Sequence, residues 1–121
     1  MKIIPMLRCN SLKESVYFYT NILDFTLKYP EEADNEWVVE LINDGVEILL
    51  TSMDGTPRIP VYVRVDDVDT IFKKYVSRGL VTPNNPNSPV HNCPIDQTWG
   101  LREFYVNDPG GNTLRFASPI G

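Results

Sequence analysis

Little in this sequence is suited to holding a metal ion or a disulfide. Its 121 residues include one histidine, His91, and two cysteines, Cys9 and Cys93, which stand far apart without paired spacing. Two isolated thiols make neither a disulfide framework nor a zinc knuckle, and they fit a reducing, cytoplasmic setting. Basic charge is also scarce: Lys and Arg number 11 against 16 Asp and Glu, for a formal net charge of −5. Without a Lys/Arg run the chain lacks the electrostatic footprint of a nucleic-acid binder. A neutral or cationic partner suits that sign better. No apolar run approaches the ~20 residues that a membrane-spanning helix needs. Residues 1–5 (MKIIP) lack the hydrophobic stretch of a signal peptide, so no targeting segment and no membrane partner are expected. What is present, 42% hydrophobic and 22% charged residues, is the balance of a globular protein, and the length predicts a single domain with a real core.

Patterning divides the chain into two similar halves. Residues 2–9 read as a strand, and Asn10 or Ser11 can cap a helix over 12–22, where Leu12, Val16, Tyr19 and Leu23 recur at helical spacing. A short strand over 24–29 and a polar loop over 30–35 follow. The β-rich runs 37–42 and 46–51 are joined by Asn43-Asp44-Gly45, a strong hairpin signal. The order then restarts: a strictly alternating strand over 60–65, a helix capped by Asp66 or Asp67 that stops at Gly79, and an irregular Pro/Asn-rich stretch over 80–99. A second hairpin, 101–106 and 113–117, closes the chain. An offset of 56 aligns the two initial strands and helices, and an offset of 66 aligns residues 45–52 with 111–118. The expected organisation is one domain over 1–121, built from a duplicated module: the first about 1–55, the second about 58–121.

Two segments carry a family resemblance. Residues 15–25 (SVYFYTNILDF) resemble the helix signature of the vicinal oxygen chelate superfamily, with Asp24 where glycine is usual, and residues 104–114 (FYVNDPGGNTL) resemble its closing hairpin. The resemblance implies an α+β fold of two tandem βαβββ modules, the glyoxalase/bleomycin resistance fold, curling around a shared cavity and commonly completed in a homodimer. Enzymes of that superfamily, glyoxalases and dioxygenases among them, hold a divalent ion at four positions. Carried over by motif, these are Ile4, Leu49, Pro60 and Arg115 in this chain. Ile, Leu and Pro offer no side-chain lone pair, and Arg is permanently cationic. Neither metal, cofactor nor catalytic residue is therefore expected. Within the superfamily the chain is similar to the bleomycin resistance branch, which also tends to carry a Trp-Gly pair, here Trp99-Gly100, and an Arg such as Arg115. That branch implies metal-free sequestration of an aromatic, neutral or cationic small molecule in a groove of the dimer. The competing readings are a metal-dependent glyoxalase- or dioxygenase-like enzyme with an atypical site, and a dimeric scaffold without a ligand.

Strand alternation sorts the side chains by face. Val61, Val63, Val65, Ile48, Leu50, Phe104, Val106, Leu114 and Phe116 are expected beneath the helices. The opposite, ligand-facing set holds Trp37, Val39, Leu41, Glu47, Leu49 and Thr51, then Tyr62, Arg64, Glu103, Tyr105, Thr113 and Arg115. Such a mixture of aromatic and charged groups is what a ligand pocket needs. The candidate ligand-binding residues are Trp37, Glu47, Leu49, Tyr62, Trp99, Glu103, Tyr105 and Arg115. Each has a structural counterpart reading. Trp37 and Trp99 are stacking platforms or core and interface residues. Glu47 and Glu103 meet the ligand, are simply solvated, or neutralise Arg64 and Arg115. Arg115 forms an internal ion pair or meets an anionic group. His91, alone in a proline-rich loop, is read as incidental, and Cys93 as a free thiol.

Overall fold

The computed structural model describes residues 1–82 and 92–120, so His91 lies outside the described residues. Eight strands form two four-stranded sheets. The first holds β1 (Met6–Arg8), β2 (Thr26–Leu27), β3 (Val38–Asn43) and β4 (Val46–Thr51) in the order β1-β4-β3-β2. The second holds β5 (Pro60–Arg64), β6 (Ile95–Asp96), β7 (Leu101–Asn107) and β8 (Thr113–Pro119) in the order β5-β8-β7-β6. In each sheet the first strand runs parallel to the last, and the other pairings are antiparallel. The duplication extends to register: Met6 pairs with Leu49, and their counterparts at the two offsets, Tyr62 and Arg115, pair with each other. The fold is that of two repeated modules.

By contacts the chain forms two units, Met1–Ile59 with Asp108–Asn112, and Pro60–Asn107 with Thr113–Gly121. In the first, helix α1 (Leu12–Tyr17) starts at Ser11, whose hydroxyl accepts from the Glu14 amide at 3.2 Å, satisfying one of the donors that a helix start leaves open. It continues as a π-helical turn over Phe18–Ile22. Packing of α1 against β3 and β4 accompanies burial of Leu7, Val39, Leu41, Ile48 and Leu50.

One expectation is corrected here. Val39 and Leu41 do not share a face with Glu47, Leu49 and Thr51; they pair with Leu50 and Ile48 in the core. The two-residue Asp44-Gly45 turn sets Asn43 opposite Val46, so odd-numbered β3 residues face even-numbered β4 residues. A one-residue change of register moves a whole strand to the other side. The β3 side chains that share the face of Glu47 and Leu49 are Val38, Glu40 and Ile42.

In the second unit, α2 (Val68–Ser77) is capped by Asp67, whose carboxylate accepts from the Asp69 and Thr70 amides. It packs on β7 and β8. Phe104 and Phe116 stack at 5.1 Å, and Phe72 and Tyr75 meet them edge-on at 5.2 and 5.5 Å. Such aromatic pairs contribute roughly 0.5–1.5 kcal/mol each beyond their buried area. Phe104, Val106, Leu114 and Phe116 are buried on this side, as their alternation predicts. At its margin Arg102 bonds both Asp69 oxygens and Asp96.

The turn Asp108–Asn112 belongs to the first unit, and its hydrogen bonds say why. Buried Tyr19 donates its hydroxyl to Asp108 Oδ2 at 2.6 Å. Asp108 also accepts from the Asn112 amide at 2.8 Å and from Asn112 Nδ2 at 2.9 Å. Asn112 Nδ2 donates as well to the Arg8 carbonyl at 2.7 Å, and Asn112 Oδ1 accepts from the Ile59 amide at 3.1 Å. Burial and the adjacent Asp108 carboxylate push the Tyr19 phenol far above its usual value, so it remains a donor. Gly110 has no room for a side chain, because a Cβ there would collide with the Arg8 carbonyl. The two signature segments of the sequence thus meet in one buried network. Asp108→Ala strands the Tyr19 hydroxyl and the Asn112 amide, and should lower unfolding stability by about 3 kcal/mol, against about 1 kcal/mol for Tyr19→Phe. Urea denaturation checks both; an Asp108→Ala protein within 1 kcal/mol of wild type refutes the role assigned to this network.

Candidate functional site

Five of the eight predicted ligand residues converge on the side of the second sheet opposite α2. Register places Tyr62 and Tyr105 on either side of Arg115, with Glu103 opposite Ala117 on the same face. Trp99 arrives from the turn between β6 and β7. There Gln97 donates its amide to the Leu101 carbonyl at 2.8 Å, and Gly100 sits at φ +88°, where other residues are strained. That turn aims the indole N–H back at Glu103, which accounts for the Trp-Gly pair.

Glu103 is 1% exposed and accepts from every side. Tyr62 Oη donates to its Oε2 at 2.7 Å and Trp99 Nε1 to the same oxygen at 3.0 Å. Arg115 Nε donates to Oε1 at 2.8 Å, and Nη2 lies 2.6 Å from that oxygen. Burial alone pushes the Glu103 carboxyl up, but the hydrogen bonds from Trp99, Tyr62 and Arg115 outweigh it and hold the group below the usual carboxylate range. Burial and the bond to Glu103 raise the Tyr62 phenol in turn.

Around the other end of this ion pair, the Arg115 guanidinium lies 5.3 Å from the ring centroids of Tyr62, Trp99 and Tyr105 alike. Each such contact contributes on the order of 0.5–2 kcal/mol. Arg64 approaches the Tyr62 ring at 5.1 Å. Despite these contacts the rings stay open: Tyr62 is 44% and Trp99 55% exposed. The result is an aromatic surface on a sheet, with Tyr62, Trp99 and Arg115 held from below by one buried carboxylate.

The other three candidates lie in the first unit. Glu47 and Leu49 share a face, but Glu47 is buried and ion-paired with Lys2 and Lys28. The hydrogen bonds from Lys2 and then Lys28 hold its carboxyl below the usual range. Trp37 precedes β3 and is 64% exposed. Lys2 and Lys28 were not anticipated as partners of Glu47, and nothing in their sequence spacing signals it. Arg64 was placed on the correct face by alternation, but not among the binding residues.

The positions at which metal-dependent relatives of this fold hold an ion do not fit one. Ile4, Leu49 and Pro60 bring no donor, and Arg115 brings a cation already bound to Glu103.

The profile of the Glyoxalase/Bleomycin resistance protein/Dioxygenase superfamily matches residues 4–116. The chain belongs to this superfamily. It is similar to the bleomycin resistance proteins of Geobacillus stearothermophilus and Staphylococcus aureus, 25% identical to each over 97% of this chain and 96% of theirs. Among solved structures, a bleomycin-binding protein complexed with bleomycin superposes with a TM-score of 0.77 at 18% identity, over 99% of both chains. The bleomycin-binding protein of bleomycin-producing Streptomyces verticillus, complexed with copper(II)-bleomycin, superposes at 0.72 and 17%, over 99% of this chain and 97% of that one. These superpositions establish the superfamily fold. Among the described residues, no helix is long and apolar enough to cross a membrane.

Because Glu103 holds its proton less tightly when folded, its stabilising contribution is complete above the ordinary glutamate pKa of ~4.3. It is lost as pH falls through the lower folded value. Glu103→Gln should therefore flatten the acid limb of the stability curve below about pH 4.5 and cost about 1–3 kcal/mol at pH 7. Thermal unfolding across pH 3–7 checks this; parallel acid limbs in the two proteins would contradict the assignment.

Proposed function

We propose that this superfamily member is a non-catalytic binding protein that sequesters a small, flat aromatic molecule against the Tyr62–Trp99–Tyr105 surface. The observation that carries the reading is the convergence of three exposed or half-exposed rings on one guanidinium, locked by a carboxylate that is 1% exposed. A surface of open rings in fixed orientations offers stacking area at little ordering cost. The ion pair beneath it keeps the rings from collapsing into a core. Glu103, Tyr62 and Arg115 are engaged in holding one another in place, which leaves no poised acid or base among these three. Similarity to bleomycin resistance proteins supports sequestration over chemistry. Neutral flat heteroaromatics are the first ligands to test, with bleomycin, named in these relatives, as the cationic comparison, in the cytoplasmic setting expected from the two isolated thiols.

Trp99 and Trp37 are the two tryptophans of the chain, so Trp37→Phe leaves Trp99 as a single reporter. A panel of neutral fused heteroaromatics should change Trp99 emission at micromolar concentration. Tyr105→Ala should weaken the same ligands about tenfold or more, for a lost ring contact of roughly 1.4 kcal/mol. Silence across the panel up to millimolar concentration defeats the proposal. The binding form is proposed to be a homodimer. Light scattering during gel filtration should give twice the chain mass, and a monomer at all concentrations overturns that part.

A further inference from the structure

The charge of the ligand follows from what already occupies the ring surface, an inference that rests on reading this face as the binding site. Three aromatic rings converging on one cation, with a carboxylate behind, form the arrangement by which proteins recognise quaternary ammonium and guanidinium groups. Here that arrangement is filled from within. The Arg115 guanidinium stands 5.3 Å from all three centroids and takes two of the contacts to Glu103 Oε1. A second guanidinium, Arg64, stands 5.1 Å from Tyr62.

The charged side chains that β5, β6, β7 and β8 place on this face are Arg64, Glu103 and Arg115, a local sum of +1, opposite in sign to the whole chain at −5. Asp96 and Arg102 project to the other face. Glu103 has both oxygens engaged and is buried. A cationic ligand would find no free carboxylate on these strands, and on the open ring faces it would meet the like charges of Arg115 and Arg64. A flat neutral ring, or one bearing a carboxylate, sulfonate or phosphate, stacks on the open indole and phenol faces and meets two guanidinium groups. We infer that Arg115 is the residue that sets charge selectivity: it fills the cation position of the Tyr62–Trp99–Tyr105 cage, so the protein takes flat aromatic molecules that are neutral or anionic and rejects cationic ones of the same shape.

The probes are 2-naphthoate, 2-naphthol and N-methylquinolinium, which share a two-ring outline and differ in charge. Isothermal titration of the full chain should rank naphthoate and naphthol above N-methylquinolinium by about tenfold or more, as expected for a like-charge contact at partial burial. Arg115→Gln keeps an amide donor for Glu103 but removes the cation. It should bind N-methylquinolinium about tenfold more tightly than wild type, while naphthoate weakens. Arg115→Lys should retain the wild-type order. Raising salt should weaken naphthoate and leave naphthol unchanged. If all three probes bind wild type equally, or Arg115→Gln keeps the wild-type ranking, the selectivity role is overturned while the binding site stands. If none binds any of the three proteins, both the role and the site are overturned.

Discussion

Asp108 is the constraint on which the arrangement of the first unit depends. Its carboxylate is 5% exposed, and three donors from Tyr19 and Asn112 converge on it. A buried carboxylate is tolerated only when its lone pairs are answered, and each missing donor leaves a desolvation cost that nothing else covers. That requirement fixes several residues at once. Tyr19 must be a tyrosine and must sit in the turn following α1. Asn112 must be an amide, because it donates to Asp108 and the Arg8 carbonyl while accepting from Ile59. Gly110 must lack a side chain, because the Arg8 carbonyl lies where a Cβ would stand. The motif around residues 108–112, met first as a family signature, is the hydrogen-bond list of one anion written along the chain.

The second unit uses the same device for a different end. Glu103 is a second buried carboxylate, and its donors, Tyr62, Trp99 and Arg115, supply two of the three rings of the aromatic surface and the guanidinium between them. Around Asp108 the donors are buried with it, and the network is structural. Around Glu103 the donors reach outward, their polar ends held and their rings left open. This is how a protein can present exposed aromatic rings in fixed orientations: Tyr62 and Trp99 are tethered by their O–H and N–H, and the guanidinium of Arg115 spaces them from Tyr105. The sheet supplies the spacing, since Tyr62, Arg115 and Tyr105 are cross-strand neighbours on β5, β8 and β7.

The sequence was legible where alternation and capping act locally. The span of β4, the helix caps to one of two adjacent residues each (Ser11 of Asn10 or Ser11, Asp67 of Asp66 or Asp67), the stop at Gly79, and the buried face of β7 and β8 follow from side-chain period and cap chemistry. The internal repeat was legible for the same reason, since two copies of one pattern test each other, and the pairings Met6–Leu49 and Tyr62–Arg115 repeat it in space. The face of β3 was not, because parity between two strands depends on how many residues the turn spends. With Asp44 and Gly45 alone in the turn, Val39 and Leu41 fall into the core. Nor were the partners of the acidic residues. Glu47 reaches Lys2 and Lys28, and no periodicity relates a strand residue to the tips of long, flexible side chains from distant segments.

That last gap bears directly on function. An excess of five negative charges suggests a cationic partner only if some of the acidic groups are free at the place of contact. On the two sheets, the buried acids Glu47 and Glu103 are each paired with basic side chains, so the excess must reside elsewhere on the surface. Net charge governs a ligand at a distance, over a Debye length of ~8–10 Å in salt. Within the site, the desolvated groups in contact decide, because Coulomb interactions strengthen as water is excluded. The two scales have opposite signs here. A cation would be drawn weakly toward the protein as a whole and opposed at the rings, where Arg115 already stands.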